Sequence, residues 1–287
     1  MKKYILVLLS LALSFTLIKI AFCQNSAPAN QADTKVDRKA ILLKQKEKKV
    51  APSNKQLTGE DLSHDVMDID IKSAISDLEQ GFNNKTLGTS DNAQLMSDLA
   101  EMGATAAVPT FTKILLEYDL KDTRMPDKDP SWYERESAAE ALGRIADSTV
   151  IPDLWKAYTS DTNDEVRSTV GEAIFRIKLS SLTSQNGTKN DYLASKQLLT
   201  DKDDIIKFNA AEFIIDNCAS KIYDPENNLL VDFVITAADA KTEIQNEVAT
   251  LQKLEASSKD AFVVSQTKEY LALVNERGYL DLAKGKK

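Results

Sequence analysis

The chain holds one histidine, His64, and two cysteines, Cys23 and Cys218, among its 287 residues. A structural zinc site needs three or four nitrogen or sulfur ligands at matched spacing, and His64 has no such companion. Activating Cys218 as a nucleophile needs a nearby base or cation, and the one histidine, His64, is far away in sequence. The helical neighbours of Cys218, Ile214 and Ile222, point instead to a buried core thiol. With Cys23 in the leading apolar segment, Cys218 is left alone in a processed chain, and no intrachain disulfide can form. Glycine-rich phosphate loops, Ser-x-x-Lys and nucleophile-elbow motifs are also missing. On these grounds no catalytic residue, cofactor or metal ligand is expected, and the chain is not expected to be an enzyme. A carboxylate-dependent hydrolase of the envelope stays open as an alternative, because 44 acidic residues can assemble a carboxylate pair in space that no spacing along the chain reveals. Glycine and proline are scarce too, at 9 and 7. Too few turn formers remain for an all-β chain, and a helical one is favoured.

The first residues, MKKYILVLLSLALSFTLIKIAFCQ, place Lys2 and Lys3 ahead of an apolar run from Tyr4 to about Ile18. This is the layout of a signal peptide. Ala21 and Cys23 serve as the small residues of a cleavage site, giving a signal over residues 1–23 and a mature chain from Gln24. Lipidation at Cys23 is disfavoured because Phe22 precedes it. A membrane anchor is disfavoured because Lys19 shortens the run below the ~20 apolar residues of a span. The expected location is the periplasm or cell envelope of a bacterium.

Residues 24–56 carry eight Lys or Arg against three acids, a net +5, and read as a flexible basic linker. The cluster over residues 35–55 suits a weak contact with an anionic membrane surface. Since the signal adds three lysines and the formal total is −8, residues 57–287 carry −16. So acidic a body repels phosphate backbones, which argues against nucleic acid as a partner.

From Asp91 onward the dominant feature is periodicity. RESAAEALGRI, residues 135–145, returns 32 residues later as RSTVGEAIFRI, matching Arg135 with Arg167, Glu140 with Glu172, Ala141 with Ala173 and Arg144 with Arg176. A third copy, KFNAAEFIIDN, comes at a further offset of 40. Asp129, Asp161 and Asp201 each stand six residues before the basic position of their copy. A second register aligns residues 99–118 with 142–158, placing Pro109 on Pro152 and Phe111 on Leu154. Proline is tolerated in a first helical turn, so each Pro marks a helix start after a short turn. Each unit is therefore helix, turn, helix. The first helix carries small residues (Ala138, Ala139, Ala141, Gly143) for close approach; the second carries a bulky stripe, here Ile151, Leu154, Trp155 and Tyr158. A lone pair would leave apolar faces in water, so the units must stack.

DEVRSTVGEAIFRI and EALGRIADSTVIPDL, residues 164–177 and 140–154, resemble the HEAT repeat, in particular the short HEAT-like type of phycobilin lyases and many bacterial proteins. The resemblance implies an all-α, right-handed α-solenoid of about four helical hairpins with flanking capping helices. The expected organisation is a capping region at 57–90, repeats at 91–240 and C-terminal capping helices at 241–287. It also implies a scaffold that binds another protein through its second helices on the concave face, with a lyase-like HEAT enzyme as an alternative that the export signal weighs against. The residues left outside the apolar stripes there are Lys113 and Glu117 on one helix and Asp153, Lys156 and Thr159 on the next. Trp132 joins them as a possible anchor, because tryptophan dominates interface hot spots and this one ends a long loop, Leu120 to Ser131. Trp155 belongs to the buried stripe.

Several features read as ordinary structure. The pairs Glu140–Arg144 and Glu172–Arg176 are helix-surface i, i+4 pairs. Asp122, Asp127 and Asp129 lack the alternation and glycine of a calcium loop, and the group Asp61, Asp65, Asp68 and Asp70 is no better. Gly81 and Gly88 bracket a turn, and residues 180–191 form a second long loop. In the last copy Phe213 stands where Ala does earlier and Asp216 where Arg does. That unit is expected to pack differently, near the end of the array.

Overall fold

The structure, a computed structural model, describes residues 59–87, 90–119, 129, 131–186, 190–223 and 233–283. The chain divides into Met1–Leu57 and Thr58–Lys287. The signal segment, Cys23 and the basic linker lie outside the described residues. So do Asp122 and Asp127, and so do the side chains of His64, Asp61, Asp65, Asp68 and Asp70 on the first helix.

The described residues form eleven α-helices and no strand: α1 (Gly59–Asn84), α2 (Ser90–Glu101), α3 (Val108–Glu117), α4 (Trp132–Ile145), α5 (Ile151–Ser160), α6 (Asp164–Asn186), α7 (Asp191–Leu198), α8 (Asp204–Tyr223), α9 (Ala237–Ser257), α10 (Ala261–Glu276) and α11 (Tyr279–Ala283). In chain order they form the units α2–α3, α4–α5, α6–α7 and α8–α9, with α1 before them and α10 and α11 after, and α3 and α5 pack mainly on the next first helix, α3 on α4 and α5 on α6. The first helices stack in chain order, α2 on α4, α4 on α6 and α6 on α8, while α3 meets α5 in the second layer. This is the all-α repeat architecture that the periodicity predicts.

The two prolines act as the sequence suggests. Short 3₁₀ turns, Thr105–Ala107 and Ser148–Val150, lead into α3 and α5, with Pro109 and Pro152 in their first turns. Phe111 and Leu154, aligned by the repeat, are both fully buried. Stacking of the first helices depends on small residues. Ala138, Ala139, Ala141 and Ala173 are buried, and a Cβ added to Gly143 would lie 2.8 Å from Ala173 Cα. Ahead of the next stacking step, a Cβ on Gly171 would lie 2.6 Å from Ile205 Cγ1. The turn after α4 is closed by Ala146 in the left-handed region, φ 58°, a place where glycine is usual.

The recurrent aspartates tie neighbouring turns together. Arg135 pairs with Asp129 of its own turn and, through Nε at 2.7 Å, with Asp161 of the next one. Arg135 is buried, and it also donates to Tyr118 O and Ser131 Oγ. Asp201 instead takes Lys178 at 2.7 Å. Arg167 turns to the start of α10: its guanidinium lies 4.2 Å from the Phe262 ring centre and 3.7 Å from Asp260 Oδ1. Tyr158 Oη donates to Asp260 Oδ2 at 2.8 Å. The turn between α9 and α10 is thereby clamped onto α5 and α6.

Two expectations are corrected. Residues 180–186 are not loop but the end of α6, because Ser181 and Thr183 donate back to Ile177 O and Ser180 O and spare the helix their competition. Gly81 lies inside α1, and the chain turns only at Lys85, φ 57°. There Leu87 folds back on Gly81, whose missing Cβ would stand 2.7 Å from Leu87 Cδ2. The last copy departs as expected: Phe213 packs tilted against Phe175 and edge-on against Phe233, and α8 packs most extensively against α9. Cys218 is buried on α8.

Candidate binding surfaces

The residues singled out on the second helices sit on α3 and α5, which pack side by side. Lys113, Glu117, Lys156 and Thr159 are exposed and Asp153 is half-buried. They differ in how free they are. Lys113 Nζ sits 4.4 Å from the Phe82 ring centre, where Lys85 also approaches, so a cation–π contact draws it toward α1. Thr159 Oγ1 donates to the carbonyls of Trp155 and Lys156, which commits its hydroxyl to its own helix. Asp153 occupies the first turn of α5, where the helix dipole favours an acid. Glu117 and Lys156 remain the exposed charges of this face.

Trp132 is not part of it. It opens α4, a first-layer helix, half-buried against the core and edge-on to Tyr133 with ring centres 5.8 Å apart. Trp155 is partly buried against Tyr158. The surface pairs Glu140–Arg144 and Glu172–Arg176 form at 2.8 and 2.5 Å, on exposed side chains; such pairs contribute about 0–1 kcal/mol.

A groove of about 480 Å³, which the sequence did not reveal, opens where α7 meets the start of α9. Tyr192, Val234 and Ile235 form an apolar wall, and Thr236, Asp239, Thr242 and Glu243 a polar one. Behind it Lys196 Nζ donates to Glu243 and Glu247, both at 2.7 Å. Burial opposes the ammonium charge, but these two bonds outweigh it and raise the Lys196 pKa. Burial, with Glu243 and Glu247 beside it, pushes the Cys218 thiol up to about 12. The thiol is therefore protonated at neutral pH and a poor nucleophile.

A second polar cluster lies where α10 crosses α8. Tyr270 Oη donates to Asp216 Oδ1 at 2.8 Å, with Arg277 Nη1 4.0 Å from the same oxygen. Burial, reinforced by Asp216 and Glu172, raises the Glu212 carboxyl to about 8. Among the described residues no group of three or more His, Cys, Asp or Glu side chains is arranged to hold a metal ion.

Stacked helical hairpins joined by proline-started second helices and an Asp–Arg bridge between turns define an α-helical repeat array. A family model for HEAT repeats matches residues 124–214, from the approach to α4 as far as the middle of α8. Residues 124–214 thus carry HEAT repeats. No curated protein matches its sequence significantly.

Proposed function

We propose that this protein is an exported HEAT-repeat scaffold that binds another protein in the cell envelope. The observation that carries this reading is the paired face of α3 and α5, a solvent-exposed surface built on two rigidly packed helices and bearing Glu117 and Lys156 outside the core. Helical repeats commonly act as protein-interaction scaffolds, because stacked units present one extended surface. Export rests on the signal-peptide layout of residues 1–23. Partner choice is attributed to charge: an acidic body of −16 suits a basic or mixed surface. The weak membrane contact assigned to residues 35–55 would hold the scaffold near the bilayer.

Catalysis is the less favoured reading. Glu212 and Asp216 stand four residues apart on α8, but Asp216 is engaged by Tyr270 and Arg277 at a helix interface.

The test is capture from envelope extract with the mature chain, comparing wild type with Lys156→Glu and Glu117→Lys. Loss of the same captured protein in both variants, with unchanged thermal unfolding, is the expected result. Capture unaffected by either reversal would count against this face.

A further inference from the structure

The groove where α7 meets the start of α9 has two unlike sides, and the apolar one is firmly seated. Phe233 is buried, with its ring centre 5.4 Å from that of Tyr192 and 5.8 Å from that of Phe213. The next residue, Val234, is turned outward, and at 61% it is the most exposed large apolar side chain among the described residues. Tyr192 and Ile235, both half-buried, continue the same wall. Apolar surface held open in this way favours a partner that removes it from water.

The other side is acidic. Asp239 and Glu243 line it with Thr236 and Thr242, and no cation is among the lining residues. Asp239, Glu243 and Glu247 follow one another at four-residue steps, which puts them on one face of α9. Along that face they pass from exposed through half-buried to buried. One ammonium serves the row: Lys196 Nζ donates to Glu243 Oε2 and Glu247 Oε1, both at 2.7 Å. Among the described residues Asp239 has no ion pair, and Glu247 Oε2 is buried with no hydrogen-bond partner. Thr236 Oγ1 donates to Asp239 Oδ2 at 2.6 Å and fixes that carboxylate at the start of α9. An open apolar wall thus stands beside an acidic wall that a single lysine leaves short of positive charge.

We propose that this groove docks an extended segment of a partner protein in which apolar and basic residues alternate. Successive side chains of an extended chain point to opposite sides. A segment lying along the groove therefore sets its apolar residues on Tyr192, Val234 and Ile235, and its lysines or arginines toward Asp239 and Glu243. Charge decides the sign of the segment, since both lining carboxylates repel an acidic one. The apolar wall decides against recognition by charge alone. The groove is separate from the α3/α5 face, and docking here does not depend on that face.

The experiment titrates the full mature chain with the peptide acetyl-AVKVKVA-amide and follows backbone amide shifts by NMR. Shifts should gather at residues 192–196 and 233–243 and shrink as salt is added. Glutamate in place of both lysines should abolish binding, and glycine in place of the valines should weaken it about tenfold. Val234→Ser should raise the Kd about tenfold. Asp239→Asn, which keeps an acceptor for Thr236, should raise it about threefold. Both substitutions lie at exposed positions, so the fold is kept. Lys156→Glu and Glu117→Lys should leave the Kd unchanged, which separates failure of this proposal from failure of the α3/α5 face. Absence of shifts at the groove with millimolar peptide overturns the proposal. So does equal binding of the glutamate or the glycine peptide, or wild-type affinity in the combined Val234→Ser, Asp239→Asn variant.

Discussion

The Cβ that Gly143 lacks would stand 2.8 Å from the Cα and 2.9 Å from the Cβ of Ala173. Nothing flexible lies in between to move aside, since both distances run to the backbone or first carbon of α6. The stacking of α4 on α6 is therefore set by the size of these two residues. Gly143→Ala gains up to about 1 kcal/mol of helix propensity, but must push two helices apart. Overpacking of this kind costs about 1–3 kcal/mol, so the net effect is destabilising. Ala141→Leu and Ala173→Leu should fall in the same range or above it. Urea unfolding measures all three; midpoints equal to wild type would contradict the stacked arrangement.

Arg135 carries a different kind of contact, because it spans two repeats. Its bonds to Asp129 and Asp161 are largely shielded from water, and removing the cation leaves two carboxylates facing each other. Arg135→Met should cost about 3–5 kcal/mol, the usual penalty for breaking a buried pair. Arg135→Lys should recover only part of this, since it cannot reproduce the planar fork. The loss should also depend on pH. Burial raises the Asp129 carboxyl, but the bond from Arg135 and those from Ser131 outweigh it and hold the group below its ordinary value. A depressed carboxyl contributes stability that is present above its unfolded pKa and lost as pH falls through its folded one. The gap between wild type and Arg135→Met should therefore narrow below about pH 4. A gap constant from neutrality to pH 3 would show that the bridge is not its source.

How much of this was legible in the chain depends on which contacts are local. Proline-started helices, small residues at helix contacts and the pairs Glu140–Arg144 and Glu172–Arg176 involve neighbours in sequence, and the repeat displays them. Asp161 was visible as a recurrent residue, but its partner was not: it stands six residues before Arg167 and bonds Arg135, because stacking brings each turn beside the preceding one. Residues 180–186 looked like loop because Ser and Thr usually compete with helical hydrogen bonding, whereas here two of them bond back along the helix. For the surfaces, Glu117 and Lys156 could be picked out by eliminating the apolar stripe. Asp216 could be seen to replace an arginine, yet Tyr270 and Arg277, which answer it, arrive from more than fifty residues away. The groove beside Tyr192 depends on α9 returning to α7, which no periodicity encodes.

The longest-range of these contacts can be measured directly. Tyr158 Oη and Asp260 Oδ2 are 102 positions apart in the chain and 2.8 Å apart in space. Burial and the adjacent Asp260 raise the phenol's pKa, so it stays a donor throughout the working pH range. Asp260 also accepts from Phe262 N at 2.9 Å as the cap of α10, and asparagine preserves that role. A cycle of Tyr158→Phe, Asp260→Asn and the double variant therefore isolates the phenol–carboxylate bond from the cap. Hydrogen bonds to a charged partner contribute about 1.5–3 kcal/mol, and partial exposure of Asp260 reduces this to a coupling of about 1–2 kcal/mol. The coupling should be seen in urea unfolding and should accompany faster exchange of the first amides of α10. Coupling indistinguishable from zero would mean that this bond does not hold the turn between α9 and α10, leaving that task to Arg167, Phe262 and their neighbours.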